Sequence, residues 1–101
     1  MNSRDINKES ILRELEKVKP SLSKKYGVNR IGLFGSFVRN EARHDSDIDV
    51  VVELTEPDLF ALVHIKEFLE DDFNRPVDVV STSAYMNAYL KTRIDKEAVY
   101  V

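Results

Sequence analysis

From Gly35 to Asp49 the chain reads Gly35-Ser36-Phe37-Val38-Arg39-Asn40-Glu41-Ala42-Arg43-His44-Asp45-Ser46-Asp47-Ile48-Asp49. A Gly-Ser pair is followed, after ten intervening residues, by an Asp-x-Asp that enters the apolar run Val50-Val51-Val52. Side chains two apart on a strand share a face, so Asp47 and Asp49 are expected to project together. Neighbouring carboxylates repel one another, which costs stability unless a cation lies between them. Hard oxygen donors of that kind suit magnesium, which keeps several waters and bridges to phosphates. Glycine lets the backbone approach a phosphate closely, a following helical turn offers free N–H groups, and the Ser36 hydroxyl can donate as well.

Asp78 supplies a third carboxylate, near the start of Val77-Asp78-Val79-Val80. If that segment begins at the same sheet edge as Asp47 and Asp49, the three acids form one cluster. Such a cluster could hold two metal ions, one at an attacking hydroxyl and one on a triphosphate. Arg39 and Arg43 lie four apart, and a guanidinium pairs well with phosphate oxygens. Both are candidates for a phosphate or an acceptor; the alternatives are a surface pair, or ion pairs with Glu41 or Asp45. His44 and His64 have no partner at ligand spacing. Tyr85, Tyr89 and Tyr100 read as core-rim residues, one of which could serve as a self-modification acceptor.

The elements that must position these groups follow from periodicity. Ile11, Leu12, Leu15 and Val18 recur at helical spacing, predicting a helix over 7–19. Pro20 interrupts it or starts a second short helix to Tyr26, with Gly27 as the stop. Ile31–Phe34 is a short strand ending in the Gly-Ser turn, and 37–41 one or two helical turns. Asp47–Leu54 is the central strand, buried on both faces. Because Gly35-Ser36 ends one strand and Asp47 begins the next, one site can hold both only if the strands are antiparallel. Pro57 and Asp58 start a helix in which Leu59, Leu62, Val63, Lys66 and Leu69 trace a stripe, and Glu70-Asp71-Asp72 reads as its solvated end. That helix is long enough for a parallel crossover to a third strand over 77–80. A helix over 83–96 and a terminal strand over 98–101 complete an α/β (α+β) domain: a small mixed β-sheet with helices packed against it.

A chain of 101 residues points to one domain, with an N-terminal helical segment at 7–26 and a catalytic core at 28–101. Its composition, 43% hydrophobic and 33% charged, is ordinary for a globular protein. The absence of cysteine excludes disulfides and thiolate metal sites and fits a cytoplasmic protein. No apolar run reaches the roughly 20 residues that span a bilayer, so no membrane association is expected. The N-terminus has no apolar segment after its charges, which predicts no secretory signal. A net charge of -3 without a basic arm disfavours direct binding to nucleic acid.

The pairing of Gly35-Ser36 with Asp47-Ile48-Asp49, and Asp78 as a later carboxylate, resembles the DNA polymerase β nucleotidyltransferase superfamily. The wording Gly35-Ser36-Phe37-Val38-Arg39 and the closing Glu97-Ala98-Val99-Tyr100-Val101 are most similar to its minimal prokaryotic branch, the MntA-like proteins. The likeness spans about residues 28–101 and implies the polymerase β-like fold. It implies Asp47 and Asp49 as shared Mg2+ ligands, Asp78 at the metal that meets the attacking hydroxyl, and Gly35 and Ser36 on the triphosphate. It further implies transfer of AMP from ATP, or of another nucleoside monophosphate from its triphosphate, by an antitoxin paired with a HEPN-domain toxin whose tyrosine is the acceptor. A chain this short leaves little for an acceptor pocket, which agrees with a protein acceptor. Two other readings stay open: transfer to a small molecule, and a non-catalytic antitoxin that acts by contact.

Overall fold

The first helix starts where Asn7 can cap it. The Asn7 side chain accepts from Ser10 N at 2.8 Å, while the Ser10 hydroxyl accepts from Asn7 N at 2.9 Å, a reciprocal box that satisfies two otherwise orphaned donors. Helix α1 then runs unbroken from Lys8 to Tyr26 and ends at Gly27, whose φ of 72° is left-handed. Pro20 therefore does not divide it. The proline is exposed, where water can serve the carbonyl that its missing N–H leaves unbonded. Ile11, Leu15, Val18 and Leu22 form the buried stripe.

The computed structural model describes residues 6–82 and 86–101. After α1 come β1 (Val28–Phe34), β2 (Ile48–Leu54), helix α2 (Leu59–Phe73), β3 (Val77–Ser81), helix α3 (Ala88–Glu97) and β4 (Val99–Tyr100). The sheet order is β3-β2-β1-β4. Strands β1 and β2 are antiparallel, β2 and β3 parallel, and β1 and β4 antiparallel, so the expected mixed sheet is present. α2 is the crossover that the parallel pair requires. The start of the predicted C-terminal helix, 83–85, lies outside the described residues.

Alternation along β2 sorts the two faces. Ile48, Val50, Val52 and Leu54 join α1 and α2 in the larger core, whereas Val51 joins Phe34 and Ile94 of α3 in a smaller one. Asp49 thus belongs to the α3 face. Val51 and Val52 are both wholly buried, as expected of a strand covered on both sides.

One expectation needs correction. The buried stripe of α2 is Ala61, Ile65, Leu69 and Phe73, while Leu59 is 73% and Val63 50% exposed. The first half of α2 is apolar around much of its circumference, so the helical period admits two stripes and the docking against β3 chooses one. The Glu70-Asp71-Asp72 run is the solvated helix end expected, with Asp71 and Asp72 exposed, and it also makes contacts. Glu70 accepts from Val77 N at 3.1 Å and from Lys66 at 2.7 Å, and Asp72 shares a hydrogen bond with Glu14 of α1.

Candidate active site

The edge at which β1 ends and β2 and β3 begin collects the candidate residues. Phe34 pairs with Asp49, and Asp49 with Asp78, so a single line across three strands carries two of the acids beside the Gly-Ser turn. Ile48 N donates to Pro76 O at 3.1 Å, tying the starts of β2 and β3 together. Asp47 stands just before β2 instead of opening it, and it is exposed, as is Asp78. Its approach is set by the preceding loop, in which Ser46 and Arg43 exchange two hydrogen bonds at 2.8 and 3.0 Å.

Asp49 is half-buried, and burial pushes its carboxyl above the usual range. The charges of Asp78 and Asp47 push the same way, and Arg93 and Arg39 partly offset them. Among the described residues no three acids or histidines converge on one point as they stand. The donor set nonetheless fits a divalent cation, because three hard carboxylates crowd one edge and the two exposed ones are unbonded among the described residues.

Gly35 has a φ of 83°, and a Cβ there would lie 2.1 Å from Oδ2 of Asp49. Its lack of a side chain is therefore needed for the carboxylate as well as for any phosphate. Residues 37–41 do not form the expected helix. Val38 N and Arg39 N both donate to Gly35 O at 3.1 Å, and Glu41 N donates to Ser36 O at 2.9 Å, making a run of turns. The amides of Ser36 and Phe37 and the Ser36 hydroxyl have no hydrogen-bond partner among the described residues. Three donors thus stay open beside the acids.

Arg39 is on this turn, with Nε on Glu41 at 2.7 Å and Nη1 on both oxygens of Glu97 at 3.1 Å. The Glu41 ion pair considered for it is present, and these bonds hold its guanidinium above its ordinary pKa, Glu41 contributing most. Arg43 does not join the group. It lines a surface cavity of about 320 Å³ beside the start of α1, together with Lys8, His44 and Arg75. Tyr89, expected at a core rim, is 75% exposed; Tyr85 is outside the described residues.

Sequence reasoning missed Glu97 and Arg93 as parts of this edge, and placed Lys66 in an apolar stripe. The hydrogen bond from Lys66 to Glu70 raises its pKa, and the charges of Asp78 and Asp47 reinforce the shift. The signal available was spacing: Lys66 with Glu70 and Arg93 with Glu97 are both four apart on a helix.

The nucleotidyltransferase domain family matches residues 15–101. Protein adenylyltransferase MntA of Thermococcus cleftensis is 39% identical over 95 residues, covering 89% of this chain and 95% of that protein. A solved structure named as a minimal nucleotidyltransferase superposes with a TM-score of 0.76 at 32% identity, covering 94% of this chain and 96% of the other. The tri-AMPylated HEPN toxin–MNT antitoxin complex of Shewanella oneidensis contains the same fold. There the TM-score is 0.68 at 18% identity, over 92% of this chain and 70% of the other.

Proposed function

The chain belongs to the nucleotidyltransferase domain family and is an enzyme of that class; on that premise we propose that it moves AMP from ATP to a tyrosine hydroxyl of a HEPN-type toxin, as the antitoxin of the pair. The observation that carries this reading is the strand edge where Asp49 and Asp78, paired in register, meet a Gly-Ser turn whose two amides are unbonded among the described residues. Kinship with an MntA protein adenylyltransferase, and a fold shared with the antitoxin of a HEPN complex, support AMP as the group and a toxin as the acceptor.

In this reading the amides of Ser36 and Phe37 and the Ser36 hydroxyl bind triphosphate oxygens, replacing water with fixed donors. Asp47, Asp49 and Asp78 would hold magnesium, two ions in this reading, which would supply neutralisation of phosphate charge and easier ionisation of the attacking hydroxyl. The tyrosine oxygen bonds to the α-phosphorus, and the bond from that phosphorus to the oxygen bridging to the β-phosphorus breaks. Pyrophosphate leaves, and the phenolic proton passes to water at the open edge. A phenol, with a pKa of about 10, ionises more readily than an alkyl hydroxyl and so asks less of a small site.

The test is co-expression with the candidate partner and measurement of the partner's intact mass. Added AMP units that map to tyrosine, and that disappear with Asp47→Asn, are the expected result. An unmodified partner that the Asp47→Asn variant still neutralises would establish the contact-only antitoxin, and label from ATP appearing on a small molecule would establish the other transferase reading. Thermal melts with ATP, with and without magnesium, check the ligands separately. A ligand that binds only the native state must raise the midpoint, so an unchanged midpoint at saturation would count against the site.

A further inference from the structure

Glu97 is the last residue of α3, and its side chain is only 15% exposed. A carboxylate at the C-terminal end of a helix faces the negative end of the helix dipole, which disfavours it. Here it is compensated by three donors. Oε1 accepts from Gly35 N at 3.3 Å and from Nη2 of Arg93 at 3.3 Å, and both oxygens accept from Nη1 of Arg39 at 3.1 Å. The sheet delivers it to this position. β4 begins two residues after Glu97, and its antiparallel pairing with β1, Leu33 opposite Val99, brings the end of α3 to the Gly35 turn.

We propose that Glu97 is a positioning residue of the transfer reaction: it pins the Gly35 backbone and holds the guanidiniums of Arg39 and Arg93 as one cationic pair facing the leaving phosphates. The proposal rests on the nucleotidyltransferase reading of the same edge. Each guanidinium keeps donors in reserve, since Nη2 of Arg39 and Nη1 of Arg93 have no partner among the described residues. The charges of these two arginines, carried by two different elements, also act on Asp49 and lower its carboxyl's pKa. An arginine tethered through part of its fork loses little further freedom when a phosphate arrives, and that preorganisation favours binding. Glu97 touches no substrate in this arrangement; it acts through the arginines and the turn.

The experiment is calorimetric binding of ATP with magnesium to wild type, Glu97→Gln, Arg39→Ala and the double variant, with melting temperatures measured alongside. Glu97→Gln keeps the shape and an acceptor for Gly35 N but loses the charge that holds the arginines. It is expected to weaken binding by about tenfold with the apo fold retained, and the double variant should lose clearly less than the two single losses combined, because only the Arg93 part of the effect remains once Arg39 is gone. That non-additivity is a readout that a merely structural glutamate would not produce. Unchanged affinity in Glu97→Gln, or fully additive losses, would overturn the proposal. Tighter binding in Glu97→Gln would overturn it too, because Glu97 would then be a competing anion seated on the phosphate donors. A wild type that binds no ATP with magnesium would remove the proposed function itself, whereas wild-type binding that Glu97→Gln leaves intact removes only the role of Glu97.

Discussion

Replacing Gly35 with alanine puts a methyl group 2.1 Å from Oδ2, 2.9 Å from Cγ and 3.1 Å from Cβ of Asp49. Since non-bonded heavy atoms rest at roughly 3.5 Å, the carboxylate must retreat by about 1 Å or more. Holding a non-glycine residue at a φ of 83° adds about 1–2 kcal/mol of backbone strain. Gly27 provides the control. Its φ is 72°, but a Cβ there meets only Thr55, at 3.6 Å, so it carries similar strain without displacing an acid. Misplacing a reacting group by 1 Å can cost on the order of 100-fold in rate, or about 2.7 kcal/mol of transition-state stabilisation. Gly35→Ala is therefore expected to lose roughly 100-fold in AMP transfer, while both variants lose about 1–2 kcal/mol of stability and Gly27→Ala transfers normally. The assay is transfer of labelled AMP from ATP beside apo melting curves. Transfer by Gly35→Ala within threefold of wild type, or an equal loss in Gly27→Ala, would refute the reasoning.

Asp49→Asn should abolish transfer yet leave the apo melting temperature unchanged or higher, since it removes a partly buried charge that Asp78 and Asp47 repel; a substantial fall in that temperature would contradict the electrostatic account. Burial and the hydrogen bond shared with Glu14 push the Asp72 carboxyl up to about 6, so the folded state takes up this proton more readily than the unfolded chain. The resulting stabilisation is complete below the unfolded pKa of 3.8 and is lost as pH rises through about 6. Asp72→Asn should accordingly raise the melting temperature at pH 7.5 and flatten its pH dependence between 4 and 6; an unchanged profile would show that the pair does not titrate in that window. In α2, Ile65→Ala should cost about 2–5 kcal/mol, whereas Leu59→Ser should stay within about 0.5 kcal/mol, as urea unfolding will measure; comparable losses would mean that Leu59 is part of the core.

What the sequence by itself determined were the features carried by spacing within one element or across one turn. A Gly-Ser pair at the end of an apolar run, and two acids at the entry to the next, specify an antiparallel pair with its chemistry at one end. The β-branched run Val50-Val51-Val52 specifies a strand covered on both faces, as found. Only tertiary structure decided the rest, because spacing along the chain says nothing about strand register or about which flank of a helix meets the sheet. The register of β3 on β2 set Asp78 beside Asp49, and that of β4 on β1 brought Glu97 to a glycine 62 residues away. Docking chose Ala61, Ile65, Leu69 and Phe73 as the buried stripe of α2 from a helix whose apolar residues allowed another. Gly35 spans both levels. Its residue type suggested close backbone approach, but only the folded sheet shows that the group approaching it is the Asp49 carboxylate, which leaves no room for a Cβ.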